Sequence, residues 1–142
     1  MKQSCHTFKN RYGEQWLNTL VTSRGITRLM APHSQLLDGS RSWDLQLCWE
    51  VLASAEVIAA CYSHNHQRIP ASAQRWLNRR QGLYARRCKI SAEQARLAFN
   101  AALKVIEHPQ MKQWCCCNAC GQTWQRSQRE LLSMLSSTEV VR

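Results

Sequence analysis

The chain has 142 residues, 44% of them hydrophobic, with six tryptophans and eight cysteines. That length and apolar content fit one folded domain with a real core and exclude a disordered chain. The net charge of +10 points to polyanionic partners, while the nine acids include none set beside a histidine in a recognisable catalytic arrangement, which argues against an enzyme.

No apolar run reaches ~18 residues without polar interruption, so no membrane span is expected. The segment Met1 to His6 lacks the apolar core of a signal peptide, which makes the cytoplasm the expected compartment. Taken in order, residues 7–31 read as one or two helices, with Trp16, Leu17, Leu20, Val21 and Leu29 at helical spacings and Gly25 as a break. The stretch from Leu20 to Ile26 has the look of the turn in a helix-turn-helix. Pro32 would then fall inside the recognition helix, where it removes a donor and clashes with the preceding turn, so a self-contained DNA-reading motif is not expected.

Residues 38–42 are rich in turn formers and mark a loop. A long apolar helix follows from Trp43 to Tyr62, capped by Ser42 or Asp44 and apolar on two sides, as in a central helix or one between subunits. Residues 71–88 form a basic helix with Trp76, Leu77, Leu83 and Tyr84 toward the core. Between Glu56 and Glu93 there is no acid, whereas Arg68, Arg75, Arg79, Arg80, Arg86, Arg87 and Lys89 all occur. Of these, Arg75, Arg79, Arg80, Arg86, Arg87 and Lys89 are the candidate nucleic-acid contacts, because such clusters bind polyanions through counterion release. A merely solvating face is the alternative.

Ser91-Ala92-Glu93-Gln94 is a capping box that opens a helix over Ala95, Ala98, Phe99, Ala102 and Ile106, which His108-Pro109 closes. Ser127-Gln128-Arg129-Glu130 makes a second capping box, expected to open a short helix over Leu131, Leu132 and Leu135. A short ribbon is expected around residues 122–125.

Between these helices lies Cys115-Cys116-Cys117-Asn118-Ala119-Cys120-Gly121. Cys117 and Cys120 form a C-x-x-C-G, a tight turn able to present two thiolates to zinc, with Gly121 relieving the turn of a Cβ clash. Adjacent cysteines and the absence of an export signal argue against a disulfide scaffold. Zinc wants four ligands. Cys115 or Cys116 can supply one, and the best remote pair is Cys61 with His64, three apart and so on one helical face. The competing reading packs Cys61 in the core and leaves His64 in a solvated turn; Cys48 and Cys88 read as small hydrophobes. The expected fold is mainly α, a single helical domain over 1–142 with a small zinc-knuckle-like element at 115–124.

Two stretches resemble the FlhC-type family of flagellar master transcriptional regulators. One runs from Leu97 to Glu107 and, after a turn, through Cys117-Asn118-Ala119-Cys120-Gly121-Gln122-Thr123-Trp124; the other comprises Trp43, Trp49-Glu50 and Ala53-Ser54. The resemblance covers roughly residues 43–125. It implies a helical, zinc-binding transcription activator that binds DNA together with a small FlhD-like helical subunit. The chain departs from that family in having no cysteine after Cys120 and hence no second C-x-x-C. The expected function is therefore that of a DNA-binding regulator working in a multi-chain complex. The alternatives are an RNA-binding or RNA-polymerase-associated factor, such as a phage-type antiterminator, and a basic protein–protein adaptor or inhibitor.

Overall fold

In the computed structural model the chain folds as a helical bundle around one central helix; residues 7–23, 26–78, 89–111 and 118–136 are described, with the backbone alone at 118–122. Helix α1 spans Arg11–Val21. Asn10 caps it by accepting from the Gly13 amide at 3.0 Å while its own amide donates to Thr7 O at 3.1 Å. This folds the turn at 7–10 back over the first helical turn. A Cβ on Gly13 would meet Thr7 O at 1.8 Å, so only glycine fits there.

Helix α2, Thr27–Asp38, continues through Pro32. Pro32 has no amide to give to Arg28 O, so that carbonyl loses its helical donor, yet the buried ring is accommodated without ending the helix. Gly39, at φ 75°, terminates α2 in the left-handed conformation that glycine adopts freely. The expected loop follows, with Asp38 Oδ1 accepting from Ser40 N at 2.8 Å.

Helix α3, Leu45–Ser63, is the axis of the fold. Asp44 caps it through the Leu47 amide at 2.8 Å. Residues 47–49 and 51–60 are all buried, because α1, α2, α5 (Ala92–Glu107) and α6 (Asn118–Ser136) pack around them. Ala53, Ser54, Ala55, Ala59 and Ala60 let those neighbours approach on every side. By length and hydropathy α3 could cross a membrane, but here it is the buried core of a bundle.

Helix α4, Ala71–Asn78, is short in its described part. Trp76 is buried, and its indole Nε1 donates to Ser23 O at 3.0 Å, tying α4 to the connection between α1 and α2. Helix α5 opens on the expected capping box, with Ser91 Oγ accepting from Gln94 N at 3.1 Å and Gln94 Oε1 accepting from Ser91 N at 2.9 Å. It closes at His108, whose extended ψ of 132° suits a residue before proline. Its inward face is Ala95, Ala98, Ala101, Ala102 and Val105, small enough for close packing on α3.

Two expectations for the C-terminal region are corrected. Helix α6 begins at Asn118, so Cys120 and Gly121 have helical backbone where a turn was expected, and residues 122–125 are helix where a ribbon was expected. Ser127 lies inside α6 and caps nothing. The reason is the buried stripe Trp124, Gln128, Leu131 and Leu135, whose spacing continues the helix upstream of the second box. Among the described residues all regular structure is helical.

Candidate functional sites

The sequence-selected residues fall in three places. Arg75 and Lys89 are exposed, and neither enters an ion pair among the described residues. Arg79, Arg80, Arg86 and Arg87 lie outside the described residues. Arg68, counted in the same acid-free run, has a different fate. It reaches back to α3, donating from Nε to Glu56 Oε1 at 2.8 Å and from Nη2 to Glu56 Oε2 at 2.7 Å. The same Nη2 donates to Ser127 O at 2.9 Å and Ser127 Oγ at 3.0 Å, so one guanidinium joins α3 to α6.

Glu56 is buried, and this pushes its carboxyl up from the ordinary value, while the hydrogen bonds and charge of Arg68 pull it down. Those hydrogen bonds raise Arg68 in turn. The two directions compete at Glu56. We read the pair as ionised, because the guanidinium keeps its proton and holds both carboxylate oxygens in a bidentate fork. Sequence reasoning placed Arg68 with the surface arginines because its partner lies 12 residues back, beyond any local pattern.

Cys61 and His64, the proposed second half of a zinc site, sit at the end of α3. Cys61 is half-buried and packs against the core. His64 is exposed and stands just past the helix with φ 61°, so the one-face spacing of a continuous helix stops at Ser63. No group of three or more histidine, cysteine or acidic side chains among the described residues is arranged to hold a metal ion. Cys115, Cys116, Cys117 and Cys88 lie outside the described residues, and of Cys120 only the helical backbone is described. Cys48 is buried in α3, where burial above all, and Asp44 next, push its thiol up to about 11. It is a packing residue with no thiolate to offer at neutral pH.

A pair that the sequence did not announce lies deeper. Ser54 Oγ and His33 Nε2 are 2.6 Å apart, and both residues are fully enclosed at 0% exposure. Ser54 Oγ also lies 3.0 Å from Val51 O, and its one hydroxyl proton goes either to that carbonyl or to His33 Nε2, according to the tautomer of the ring. His33 Nδ1 is buried without a partner among the described residues. Burial drives the His33 pKa down to about 3 and keeps the ring neutral. The pair resembles a nucleophile and its base only in composition. No substrate reaches it, and no acid orients the ring among the described residues.

At the surface, Trp43 is the exposed large hydrophobe of the described residues and stacks on His108, with ring centroids 5.0 Å apart and 22° between planes. Trp76, in contrast, is committed to the core and is not available to stack on bases. Comparison of the chain with protein-family models, with curated proteins and with solved structures finds no match.

Proposed function

We propose that the chain is a DNA-binding transcriptional regulator, acting as a subunit of a multi-chain complex and stabilised by zinc. The observation that carries the reading is the acid-free run after Glu56, in which Arg75 and Lys89 are exposed without an ion pair among the described residues, while Arg68 is taken up by Glu56. Contacts of this kind go to phosphates, which position a protein on a duplex without specifying sequence. Sequence choice then falls to a second chain, for which the resemblance to the FlhC-type family suggests an FlhD-like helical subunit. Zinc enters through Cys117 and Cys120, whose spacing suits two thiolate ligands, with Cys61 and His64 as the candidate second pair.

Filter binding to promoter fragments and to random duplex across a salt series tests the reading. Replacing Arg79 and Arg80 with alanine should weaken binding to all sequences alike and reduce the salt slope by about one unit for each phosphate that is no longer neutralised. An unchanged slope would mean that this face only solvates the protein. Single-stranded RNA at matched salt is the discriminating arm, since tighter binding to it would favour the RNA-polymerase-associated alternative. Loss of a protein partner at high salt, with no affinity for either nucleic acid, would favour the adaptor.

A further inference from the structure

Helices α1 and α2 both pack on α3 far more than on one another, and a cleft of about 310 Å³ opens between them. This volume lies at the lower end of small-molecule sites, ~300–1,000 Å³. Trp16 from α1 and Ala31 and Pro32 from α2 supply its apolar lining. Opposite in character is a pinned polar wall. Arg41 Nη1 donates to Glu50 Oε1 at 2.8 Å and to Gln35 Oε1 at 3.0 Å, and Glu50 Oε2 accepts from Gln46 Nε2 at 3.1 Å. All of these residues line the cleft, so part of its wall is set before any ligand arrives.

What the cleft leaves over decides its ligand. Glu50 is matched by Arg41, but Arg28, on the same cleft, has no ion pair among the described residues. The indole Nε1 of Trp16 is sealed from solvent and has no acceptor among the described residues. The cleft therefore presents an unmatched cation beside an apolar surface, with the Trp16 N–H buried behind it. Two guanidiniums against one carboxylate leave a single positive charge, and Glu50 disfavours a dianion such as phosphate.

We propose that this cleft binds a small monocarboxylate with an apolar body, its carboxylate on Arg28 and its body against Trp16 and Pro32. The site is separate from the basic run after Glu56 and does not depend on the nucleic-acid reading.

Titration calorimetry of the full chain with benzoate and with benzamide, which has the same shape without the charge, tests the site. Benzoate is expected to bind about ten- to a hundredfold more tightly than benzamide. Arg28→Gln, at an exposed position, should bring benzoate down to the level of benzamide without altering the circular dichroism or the thermal midpoint. Arg75→Gln, exposed on α4, should leave benzoate binding unchanged. The Trp16 indole N–H resonance, identified by its loss in Trp16→Phe, should shift with benzoate in the wild-type chain. Equal affinity for the two probes, no binding of benzoate at millimolar concentration, undiminished binding in Arg28→Gln, or an unmoved Trp16 resonance would each overturn the proposal.

Discussion

His33 is a neutral imidazole held in a fully enclosed position, and its chemistry sets a pH dependence. Its folded pKa, lowered to about 3 by burial, lies below the ordinary 6.5, so the unfolded chain takes up a proton between these values and the folded chain does not. Stability from this group is therefore complete above pH 6.5 and is lost progressively as pH falls toward 3. Between pH 7 and pH 5 the expected loss is about 2 kcal/mol. Urea denaturation at the two pH values measures it, and His33→Gln, which retains a polar partner for Ser54, should remove most of this slope. A slope equal to that of the wild type would assign the pH dependence elsewhere. Gly13 makes a second residue-scale case. Alanine is the better helix former, but its Cβ would stand 1.8 Å from Thr7 O, so Gly13→Ala should destabilise by about 1–3 kcal/mol instead of stabilising. Thermal denaturation gives the sign directly.

Among the elements, α6 owes its seat to two different forces. Its stripe of Trp124, Leu131 and Leu135 is buried in the bundle, and Arg68, bound to Glu56 of α3, also donates to Ser127. Removing Arg68 strands the Glu56 carboxylate in the core, a loss of about 3–5 kcal/mol. Arg68→Met should therefore be far more damaging than Glu56→Gln/Arg68→Met, which removes the uncompensated charge as well. Chemical denaturation of both variants checks this, and equal losses would show that packing alone seats α6. Helix α4 is held differently, through Trp76 and the Ser23 carbonyl, and this use of the indole explains why a tryptophan amid arginines is not a stacking platform.

On the scale of the whole molecule, charge is the property that ties distant parts together, and the proposed zinc would be a second. Glu56 and Glu50 each take one arginine, and because every such pair removes one charge of each sign, the excess of 19 basic over nine acidic side chains stays at +10. Arg75 and Lys89, the described candidates of the basic run, are exposed, and the proposed polyanion binding is expected to weaken as salt rises. Zinc, if held by Cys117 and Cys120 with one of Cys115 and Cys116, still has to draw a ligand from another segment or a neighbouring chain, which makes metal content a test of tertiary arrangement. Purified wild-type protein is expected to contain zinc by elemental analysis, and Cys117→Ser to lose it. Retention in Cys61→Ala would assign Cys61 to the core packing in which it sits. Wild-type protein devoid of zinc would end the metal reading.

The sequence alone determined the helices whose signals are local. Asp44 caps α3, Ser91 and Gln94 cap α5, and His108 before Pro109 ends it, because each signal acts within about one helical turn of its own position. The mainly helical class followed from the same periodicities. Tertiary structure decided whatever depends on partners far along the chain. Arg68 reads as one more surface cation until Glu56, 12 residues away, and Ser127, 59 residues away, are brought to it. His33 reads as an ordinary helix residue until α3 sets Ser54 against it. Pro32 reads as a helix breaker, yet packing on α3 carries α2 through it, since burial of Leu29, His33 and Leu36 outweighs one missing hydrogen bond. The cleft beside Arg28 exists only because α1 and α2 both choose α3 over each other, a preference that no stretch of sequence states by itself.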